Sequence, residues 1–443
     1  MINQLNYNTM LWNLAETLNI DSNKSSLLFY NSYPLMDLYL NNSHSNCPYC
    51  NSKNIYIKGS KTSLIKHSMS TGSPCFIRFH MRIFKCLICL KEHRESINIM
   101  KSNRNISQAL EMRIIELLMD SRYTFKNVSE INNVSLSTVV RTFDKYVEVK
   151  RGALPNILSI DEIYSRRLTK TKYCCILYNP IDDKIVDVIN SRRMTTLDEY
   201  FYHISLKERK MVKYFVSDLN ETYRSVHNKF FKDSICAVDS FHVVKNLSDL
   251  FNKLRIRIMS KYEDLRVYSN SEYWLLKKFY KLLFLYPEEI EDKEYNFKKF
   301  DMILNKTSLI EYMLKCDKEL KEAYYLMMEY KNFNKYYKYE DAKEKLEELI
   351  DEFTCSSSDE MKRFGYLLIN WKKEILNSFI KVNGFRLSNG RLERANRYIK
   401  LMFSNAYGFT NFPRTRNRIM FTYNKDFKLL GYKRKFSITR IKK

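Results

Sequence analysis

The pattern of apolar and polar residues changes along the chain, and the clearest change comes near residue 155. From there, short apolar runs alternate with turn residues, which predicts strands at 157–164, 173–178, 184–189, 212–218 and 234–239. Helical periodicity separates the later runs, near 196–205 and 221–231. A long helix is expected to begin at Ser240. The pattern therefore predicts a mixed α/β domain in this part of the chain.

The order of these elements is that of a ribonuclease-H-like sheet. The turn at 179–183 joins the second and third strands, so the first three strands are expected to be antiparallel. In such a sheet the acid of the first strand, Asp161, lies beside the acid that ends the fourth strand, Asp218. We therefore expect an α/β core with two carboxylates side by side.

Asp161 stands in the middle of an apolar and β-branched run, residues 158–164. A carboxylate that loses its water without gaining a partner costs several kcal/mol, so such positions usually bind a metal or take part in catalysis. The alternative is a strand that ends early and leaves Asp161 and Glu162 in solvent. Successive side chains of a strand alternate in direction, so Glu162 is expected to point away and not to substitute for Asp161.

Helical patterns dominate on both sides of this core. Residues 9–18 predict one amphipathic helix, residues 107–146 predict several helices, and residues 250–380 are nearly all helical in pattern. We interpret 250–380 as a helical insertion that is mainly structural. The alternative is that its aromatic and lysine side chains line a channel for DNA.

Residues 128–141 fit a helix-turn-helix. An apolar helix ends at an Asn-Asn turn, and Ser135 is placed to cap a second helix. The exposed start of that helix carries Ser137, Thr138 and Arg141, which we predict to meet a DNA major groove. The alternative is an ordinary pair of packed helices without a nucleic-acid partner.

Two Cys-x-x-Cys pairs lie near the N-terminus, and their members are Cys47, Cys50, Cys86 and Cys89. Four thiolates suit tetrahedral Zn²⁺, so we predict a structural zinc site. A redox pair and unliganded core cysteines are the alternatives. Because the pairs are far apart, one ligand could instead come from four other residues: His67, Cys75, His80 or His93. The segment 76–85 between the pairs alternates basic and apolar residues, which predicts a β-arm with one basic face.

Charge and composition limit the kinds of partner that this protein is expected to bind. The chain of 443 residues has 75 Lys and Arg against 50 Asp and Glu, a formal net charge of +25. This excess favours a polyanion such as nucleic acid. The sequence has no run of 18 apolar residues, and residues 1–20 lack a basic segment followed by an apolar core. We therefore expect a soluble, cytoplasmic protein that associates with the nucleoid and not with a membrane.

A second acidic candidate lies near the C-terminus, in a helix that follows the turn Asn389-Gly390. Its apolar stripe includes Leu392 and Ala395, and Glu393 lies at the margin of that stripe. We interpret Glu393 as a metal ligand that enters a basic, DNA-binding groove. The basic residues around it are Arg391, Arg394, Arg397 and Lys400. The alternative is a simple pair with Arg397 one turn away, worth about 0.3–0.5 kcal/mol.

These patterns divide the chain into seven parts. They are an N-terminal helical segment (1–40), a zinc-ribbon DNA-binding module (41–105), a helix-turn-helix (106–150), the first part of the core (151–250), a helical insertion (251–380), a core helix with the third acid (381–425) and a basic tail (426–443). The predicted fold class is thus α+β and multidomain, with a ribonuclease-H-like catalytic core interrupted by an all-helical insertion.

The order of these motifs resembles the ISL-three family of bacterial insertion-sequence transposases, over residues 45 to 425. The resemblance is carried by the two Cys-x-x-Cys pairs, the helix-turn-helix, the Asp-Glu first strand, the Ser-Asp strand end, the Asp-x-Phe-His segment, the Ser-Asn-Gly…Glu…Asn helix, and the later 406–412 and 414–418 segments. By this resemblance Asp161, Asp218 and Glu393 are expected to be a DDE triad. Asp239 and His242 are similar to a D-x-x-H motif of such transposases.

The resemblance implies a DNA transposase that binds the terminal inverted repeats of its insertion sequence. The triad would hold two Mg²⁺ or Mn²⁺ ions for DNA cleavage and strand transfer. Double-stranded DNA is the implied partner, and a homodimer or a higher assembly on DNA is expected by analogy. Two alternatives remain, a non-catalytic zinc and helix-turn-helix regulator and a nuclease of the same fold. His242 is expected to position a phosphate or a helix, and the alternative for it is a role in the core alone, by capping contacts.

Overall fold

The computed structural model describes residues 12, 14, 19–41, 46–95, 105–165, 168–262, 271–291, 293–297, 302–406 and 408–425. Contacts divide the chain into two compact units: unit 1 comprises Met1–Lys150 and Ile399–Lys443, and unit 2 comprises Arg151–Tyr398. The basic tail predicted at 426–443 lies outside the described residues. So does the helix predicted at 9–18, apart from Trp12 and Leu14.

Unit 1 contains a five-stranded sheet. Its strands are β1 (Ser26–Tyr30), β2 (Tyr33–Leu38), β3 (Ile55–Ser68), β4 (Pro74–Cys86) and β5 (Glu92–Arg94). They run in the order β1-β2-β4-β3, and β5 pairs with β4. The long antiparallel pair of β3 and β4 confirms the β-arm predicted at 76–85. The two Cys-x-x-Cys pairs lie at its open end.

The strands β1 and β2 correct the expectation of a helical segment at 1–40. They form an antiparallel hairpin whose two turn residues, Asn31 and Ser32, both have positive φ, at 48° and 66°. Such a two-residue turn usually has glycine at its second position. Because serine stands there instead, the sequence carried only a weak hairpin signal.

Unit 1 also contains the helices α1 (Gln108–Leu118), α2 (Phe125–Ile131) and α3 (Leu136–Tyr146), with the helix Phe412–Asn424 from the C-terminal part. Ser135 caps α3, since its side chain accepts a hydrogen bond from the backbone N–H of Thr138. Phe143 of α3 is fully buried and meets Phe125 and Phe421 edge-on. These aromatic contacts fix the helices around one core.

Unit 2 is built on a second five-stranded sheet. Its strands are β6 (Ile157–Tyr164), β7 (Tyr173–Asn179), β8 (Lys184–Ile189), β9 (Tyr214–Ser217) and β10 (Ile235–Val238). The order is β10-β9-β6-β7-β8. Antiparallel pairing joins β6, β7 and β8, and parallel pairing joins β6, β9 and β10. All five predicted strands are therefore present, and the first three are antiparallel as expected.

Helices α4 (Met194–Tyr202), α5 (Leu206–Arg209) and α6 (Glu221–Phe230) follow in unit 2. Leu158 and Ile160 of β6 share a core with Phe201 of α4 and Tyr223 of α6. The odd-numbered Ile157 lies in a separate core cluster. The period-two alternation of β6 therefore turns its odd-numbered positions, which include Asp161, away from these helices.

The rest of unit 2 is mainly helical. It contains α7 (Ser240–Lys261), α8 (Ser271–Lys278), α9 (Lys306–Lys315), α10 (Lys318–Tyr336), α11 (Tyr339–Cys355), α12 (Asp359–Asn370) and α13 (Lys372–Asn377). Their buried side chains form one large apolar cluster. A short hairpin, β11 (Tyr295–Phe297) with β12 (Met302–Leu304), corrects the expectation of an all-helical insertion.

Residues 309–330 lie within the helical pattern of the insertion. The structure has two helices there, because the side chain of Asp317 accepts hydrogen bonds from the backbone N–H groups of Glu319 and Leu320. Such a cap starts a new helix even where the apolar period continues. The chain then forms β13 (Lys381–Val382), β14 (Phe385–Arg386) and α14 (Gly390–Asn405). In the part of the chain that the structure describes, no helix is both long and apolar enough to cross a membrane.

Candidate functional site

Three acidic residues stand in one row just beyond the point where the parallel pairing of unit 2 ends. The register of β6 against β9 and of β9 against β10, continued past the last paired residues, sets Asp161 opposite Asp218 and Asp218 opposite Asp239. The carboxyl ends of parallel strands share one edge of a sheet, which is where α/β proteins commonly bind ligands. The row therefore marks a candidate site.

Asp161 is only 8% exposed, and both of its carboxylate oxygens accept hydrogen bonds. The side-chain amide of Asn396 donates to Oδ2 over 2.7 Å, and the backbone N–H of Glu162 donates to Oδ1 over 2.7 Å. Burial raises the pKa of Asp161 to about 7, against the lowering effect of the Glu162 N–H. The charges of Glu162, Asp239 and Glu393 also raise this pKa. The Asp161 carboxyl is therefore harder to ionise than an exposed aspartate.

Asp218, which follows β9, lies in the same environment. Burial raises its pKa to about 7, and the charges of Glu162 and Asp161 add to the increase. Its Oδ1 atom is buried without a hydrogen-bond partner among the residues that the structure describes. Oxygen atoms of Asp161, Glu162 and Asp218 lie within 4.8 Å of one another. A buried oxygen without a hydrogen-bond partner, inside a carboxylate cluster, is a suitable ligand atom for a cation.

The structure corrects the expectation that Glu162 points away from this site. Its carboxylate accepts a hydrogen bond from the hydroxyl of Tyr223 over 2.9 Å and pairs with Arg192, yet it also reaches the cluster of Asp161 and Asp218. Because β9 pairs only with the first three residues of β6, the edge beyond them is open. A long side chain can therefore bend round that edge, and alternation along the strand does not exclude it.

A second group of ligand atoms lies nearby in unit 2. Asp239 follows β10, His242 lies in the first turn of α7, and Glu393 lies in the first turn of α14. The Nε2 atom of His242 is 3.9 Å from Oδ2 of Asp239 and 4.0 Å from Oε1 of Glu393. Burial raises the pKa of Asp239 and lowers that of His242, while the charge of Glu393 opposes the second effect. Glu393 thus joins Asp239 and His242 in one cluster.

Asn389 holds the start of α14 in place. It is 1% exposed, and its backbone N–H donates to Oδ1 of Asp239 over 3.2 Å. Its side-chain amide donates to the carbonyl oxygen of Ile160 in β6 over 3.2 Å, and its own carbonyl accepts from the N–H of Glu393. Asn389 therefore links the sheet to the helix that carries Glu393. From the sequence, Asn389 was expected only to form a turn with Gly390.

The basic residues near Glu393 differ in their contacts. Arg391 donates to the carbonyl oxygen of Pro180, and Arg394 pairs with Asp183 at 2.9 Å, both in the turn between β7 and β8. Arg397 and Lys400 are exposed. The carboxylate of Glu393 faces His242, and within the described residues no ion pair with Arg397 forms. The simple helical pair considered from the sequence is therefore not the arrangement seen.

The donor set fits divalent cations. Hard cations such as Mg²⁺ and Mn²⁺ prefer carboxylate oxygens, and both groups supply them. Buried oxygens without a hydrogen-bond partner in the described chain lie in each group, on Asp218 and on Asp239. These residues can therefore hold cations at this edge of the sheet.

The four cysteines of unit 1 form a separate metal-binding group. The Sγ atoms of Cys47 and Cys89 are 3.6 Å apart, and so are those of Cys50 and Cys86. Tetrahedral zinc with Zn–S bonds of about 2.3 Å places sulfurs about 3.8 Å apart. All four atoms lie within 4.8 Å of one another. The geometry therefore fits one structural Zn²⁺.

The substitute zinc ligands considered from the sequence have other contacts. The two ring nitrogens of His67 lie 2.7 Å from the Ser107 hydroxyl and 2.6 Å from the Trp12 carbonyl oxygen. His80 contacts Asp37 at 2.6 Å. His93 stacks on an aromatic ring, and Cys75 is buried in the sheet core. The cluster of ligands in this part of the chain consists of the four cysteines.

The predicted DNA-contacting residues of α3 are accessible to different degrees. Ser137 and Arg141 are exposed, and Thr138 is half-buried beside the cap at Ser135. The Arg141 side chain bends back to the carbonyl oxygen of Ser137 over 3.2 Å. Their role in DNA binding remains a prediction.

The fold and these sites define a mixed α/β protein with an N-terminal zinc ribbon and a carboxylate-rich centre in its second sheet. Two family models match the chain. A DDE transposase model of the ISL3 family matches residues 158–419, more than half of the chain, and a model described as the zinc-finger of transposase IS204/IS1001/IS1096/IS1165 matches residues 44–89. The chain belongs to the ISL3 family of transposases. A search of curated proteins found no match.

Proposed function

We propose that this transposase binds the terminal inverted repeats of its insertion sequence and catalyses metal-dependent DNA cleavage and strand transfer. The observation that carries the proposal is the row of Asp161 and Asp218, just beyond the point where β6 and β9 stop pairing. Glu393 lies in the first turn of α14. The strand order β10-β9-β6-β7-β8, in which β6 pairs antiparallel with β7 and parallel with β9, supports a ribonuclease-H-like core. The transposase family supports the same reaction class.

The residues of the acidic centre in unit 2 have different roles. Asp161, Asp218 and Glu393 would hold Mg²⁺ or Mn²⁺, which when bound stabilises the attacking and leaving oxygens of an in-line displacement at phosphorus. Asn396 keeps Asp161 oriented through its 2.7 Å hydrogen bond. Burial keeps water away from the carboxylates and strengthens their electrostatic interactions with a bound phosphate-metal group. Asn389 supports the position of Glu393 by linking the start of α14 to Asp239.

DNA binding is assigned to both units. The net charge of +25 favours a polyanion, and in unit 1 the zinc ribbon with a helix-turn-helix built from α2 and α3 would engage the transposon ends. Ser137, Thr138 and Arg141 would face the major groove. Arg397 of unit 2 and Lys400 of unit 1 are exposed and would contact the phosphate backbone, whereas Arg391 and Arg394 already engage the turn between β7 and β8. Assembly as a homodimer on DNA is part of the same proposal.

The experiment is incubation of the purified, zinc-loaded protein with Mg²⁺ and labelled DNA from the flanks of its own gene. Cleavage at the repeat boundary, followed by joining of the new 3′ end to a target plasmid, is the expected result. Tight binding without cleavage in Mg²⁺ or Mn²⁺ would instead indicate a DNA-binding regulator. Cleavage without joining would indicate a nuclease.

A further inference from the structure

We propose that Asp239, His242 and Glu393 form a cation site of their own, which takes one nitrogen ligand and therefore prefers Mn²⁺ to Mg²⁺. The inference rests on the proposed function in one respect only, that the acidic centre binds divalent cations. It differs from the three-acid scheme because it makes His242 a ligand and gives Asp239 a direct role.

The distances in this group argue against a hydrogen-bonded network. The His242 ring nitrogen lies 3.9 Å from Asp239 and 4.0 Å from Glu393, and hydrogen bonds between such groups are about 2.7–3.2 Å long. A cation about 2.0–2.2 Å from each ligand atom spans separations of up to about 4.4 Å. The three groups are therefore spaced for a shared cation and too far apart to bond to one another.

A second observation, independent of these distances, concerns the hydrogen bonds of Asp239. It is 1% exposed, its Oδ1 accepts from the backbone N–H of Asn389, and its Oδ2 has no hydrogen-bond partner among the described residues. That Oδ2 is the atom nearest to the His242 ring nitrogen. A buried carboxylate oxygen without a partner is costly, so its persistence at this position points to a ligand.

Among the described residues, neither of the two nearby protein cations takes the place of this ligand. Arg386 is the arginine whose charge acts on Asp239, but its hydrogen bonds go to Asn334 and Ser378. Lys245 lies one turn from His242 and repels its protonated form. The negative charge of Asp239 and Glu393 is thus left for an external cation.

The elements hold the three ligands in fixed positions. Asp239 immediately precedes α7 and His242 follows three residues later, which places the two side chains on one face of the helix start. Asn389 ties the start of α14, and with it Glu393, to Asp239. The site therefore needs no rearrangement of the backbone to form.

The nitrogen ligand in this group explains the expected preference for Mn²⁺ over Mg²⁺. Mg²⁺ binds almost only oxygen ligands, whereas Mn²⁺ accepts an imidazole nitrogen and binds mixed nitrogen and oxygen sites more tightly. The cluster of Asp161, Glu162 and Asp218 offers oxygen alone. The two groups are therefore expected to differ in their selectivity for the two ions.

The test is electron spin-echo spectroscopy of Mn²⁺ bound to the full-length, zinc-loaded protein. The wild type is expected to show a directly coordinated ¹⁴N, and growth with ¹⁵N-histidine should change that coupling without any mutation. His242→Ala should abolish the nitrogen coupling and weaken one Mn²⁺ site by about tenfold or more. His203→Ala, at an exposed histidine, should leave both unchanged. Asp218→Asn should weaken the other Mn²⁺ site and keep the nitrogen coupling.

Two results would overturn the inference. One is bound Mn²⁺ in the wild type without nitrogen coupling, and the other is a coupling that survives His242→Ala. Either result together with DNA cleavage by the wild type in Mg²⁺ refutes this site and leaves the proposed function standing. Nitrogen coupling in a protein that does not cleave DNA supports the site and counts against the function.

Discussion

The side-chain amide of Asn396 donates a 2.7 Å hydrogen bond to Oδ2 of Asp161, across 235 positions of sequence. It joins the first strand of the second sheet to the helix that carries Glu393. Asn396 is 5% exposed, and its own oxygen lacks a hydrogen-bond partner in the described part of the chain. The amide therefore fixes which way the Asp161 carboxylate faces while leaving its charge unneutralised.

Replacing Asn396 should slow DNA cleavage, because Asp161 loses the hydrogen bond that orients its carboxylate. Asn396→Ala frees the carboxylate to rotate, so Mg²⁺-dependent cleavage should slow by about 10–100-fold while binding to the transposon ends stays unchanged. Measured as a Mg²⁺ titration of the cleavage rate, the loss should be partly recovered at high Mg²⁺. Exposed Asn405→Ala, at the C-terminal end of α14, is the matched control. Equal rates for Asn396→Ala and wild type would show that Asp161 needs no such support.

The raised pKa of Asp218 predicts a cost to stability that depends on pH. Its pKa is about 7 in the folded protein and 3.8 in the reference state, so between these values the folded form holds more protons than the unfolded form. The free energy of unfolding therefore falls as pH rises through this window. Asp218→Asn removes the cost, and without divalent cations at pH 8 it should stabilise unit 2 by on the order of 2–4 kcal/mol.

The measurement is urea unfolding followed by tryptophan fluorescence, since two of the three tryptophans, Trp274 and Trp371, lie in unit 2. At pH 5 the gain from Asp218→Asn should shrink by more than half. Mg²⁺ should stabilise the wild type and not the variant, because a ligand stabilises only the form that binds it. Asp249→Asn, at an exposed acid of α7, should show neither effect. A pH-independent gain would mean that Asp218 is not desolvated as described.

Removal of zinc should unfold the ribbon and leave unit 2 folded. Cys86→Ser takes away one of four thiolates, so the protein should lose its single zinc equivalent, and amide exchange over residues 46–95 should accelerate. Zinc content by mass spectrometry and exchange by peptide analysis measure the two effects. Cys355→Ser, at an exposed cysteine, is the control. Full zinc occupancy in Cys86→Ser would contradict the four-cysteine site.

The helix-turn-helix proposal predicts a change in the salt dependence of DNA binding. If Arg141 contacts a phosphate, Arg141→Ala should weaken binding and reduce the slope of log affinity against log salt by about 1. Lys207→Ala, at an exposed lysine of α5, should leave the slope unchanged. Fluorescence anisotropy with labelled transposon ends gives both slopes. Identical slopes would argue that α2 and α3 are a structural helix pair.

Much of the fold was predictable because its signals are local. Apolar runs bounded by turn residues predicted all five strands of the second sheet, and the order of those strands predicted that Asp161 and Asp218 would be neighbours. Two cysteine pairs with short internal spacing predicted the metal site of unit 1. In each case the decisive information lies within a few residues of sequence.

The features of the site that could not be predicted depend on contacts between residues far apart in the sequence. The side chain of Glu162 reaches the acidic cluster because β9 ends early. The alternation of side chains along β6 does not reveal where β9 ends. The polar Asn396 within an apolar stripe was the available signal for its contact with Asp161, but its partner lies 235 positions away. The break at Asp317 could have been found, since Asp is a common helix cap.

The central claim is that Asp161 belongs to a metal-dependent centre that cuts DNA. The most direct measurement compares wild type, Asp161→Asn and the exposed-acid control Asp249→Asn in cleavage and binding of labelled transposon ends in Mg²⁺. We predict that Asp161→Asn binds the ends as the wild type does and cuts them at least about a thousandfold more slowly, a loss of roughly 4 kcal/mol of transition-state stabilisation. Asp249→Asn should cut normally. Cleavage by Asp161→Asn at the wild-type rate would contradict the claim.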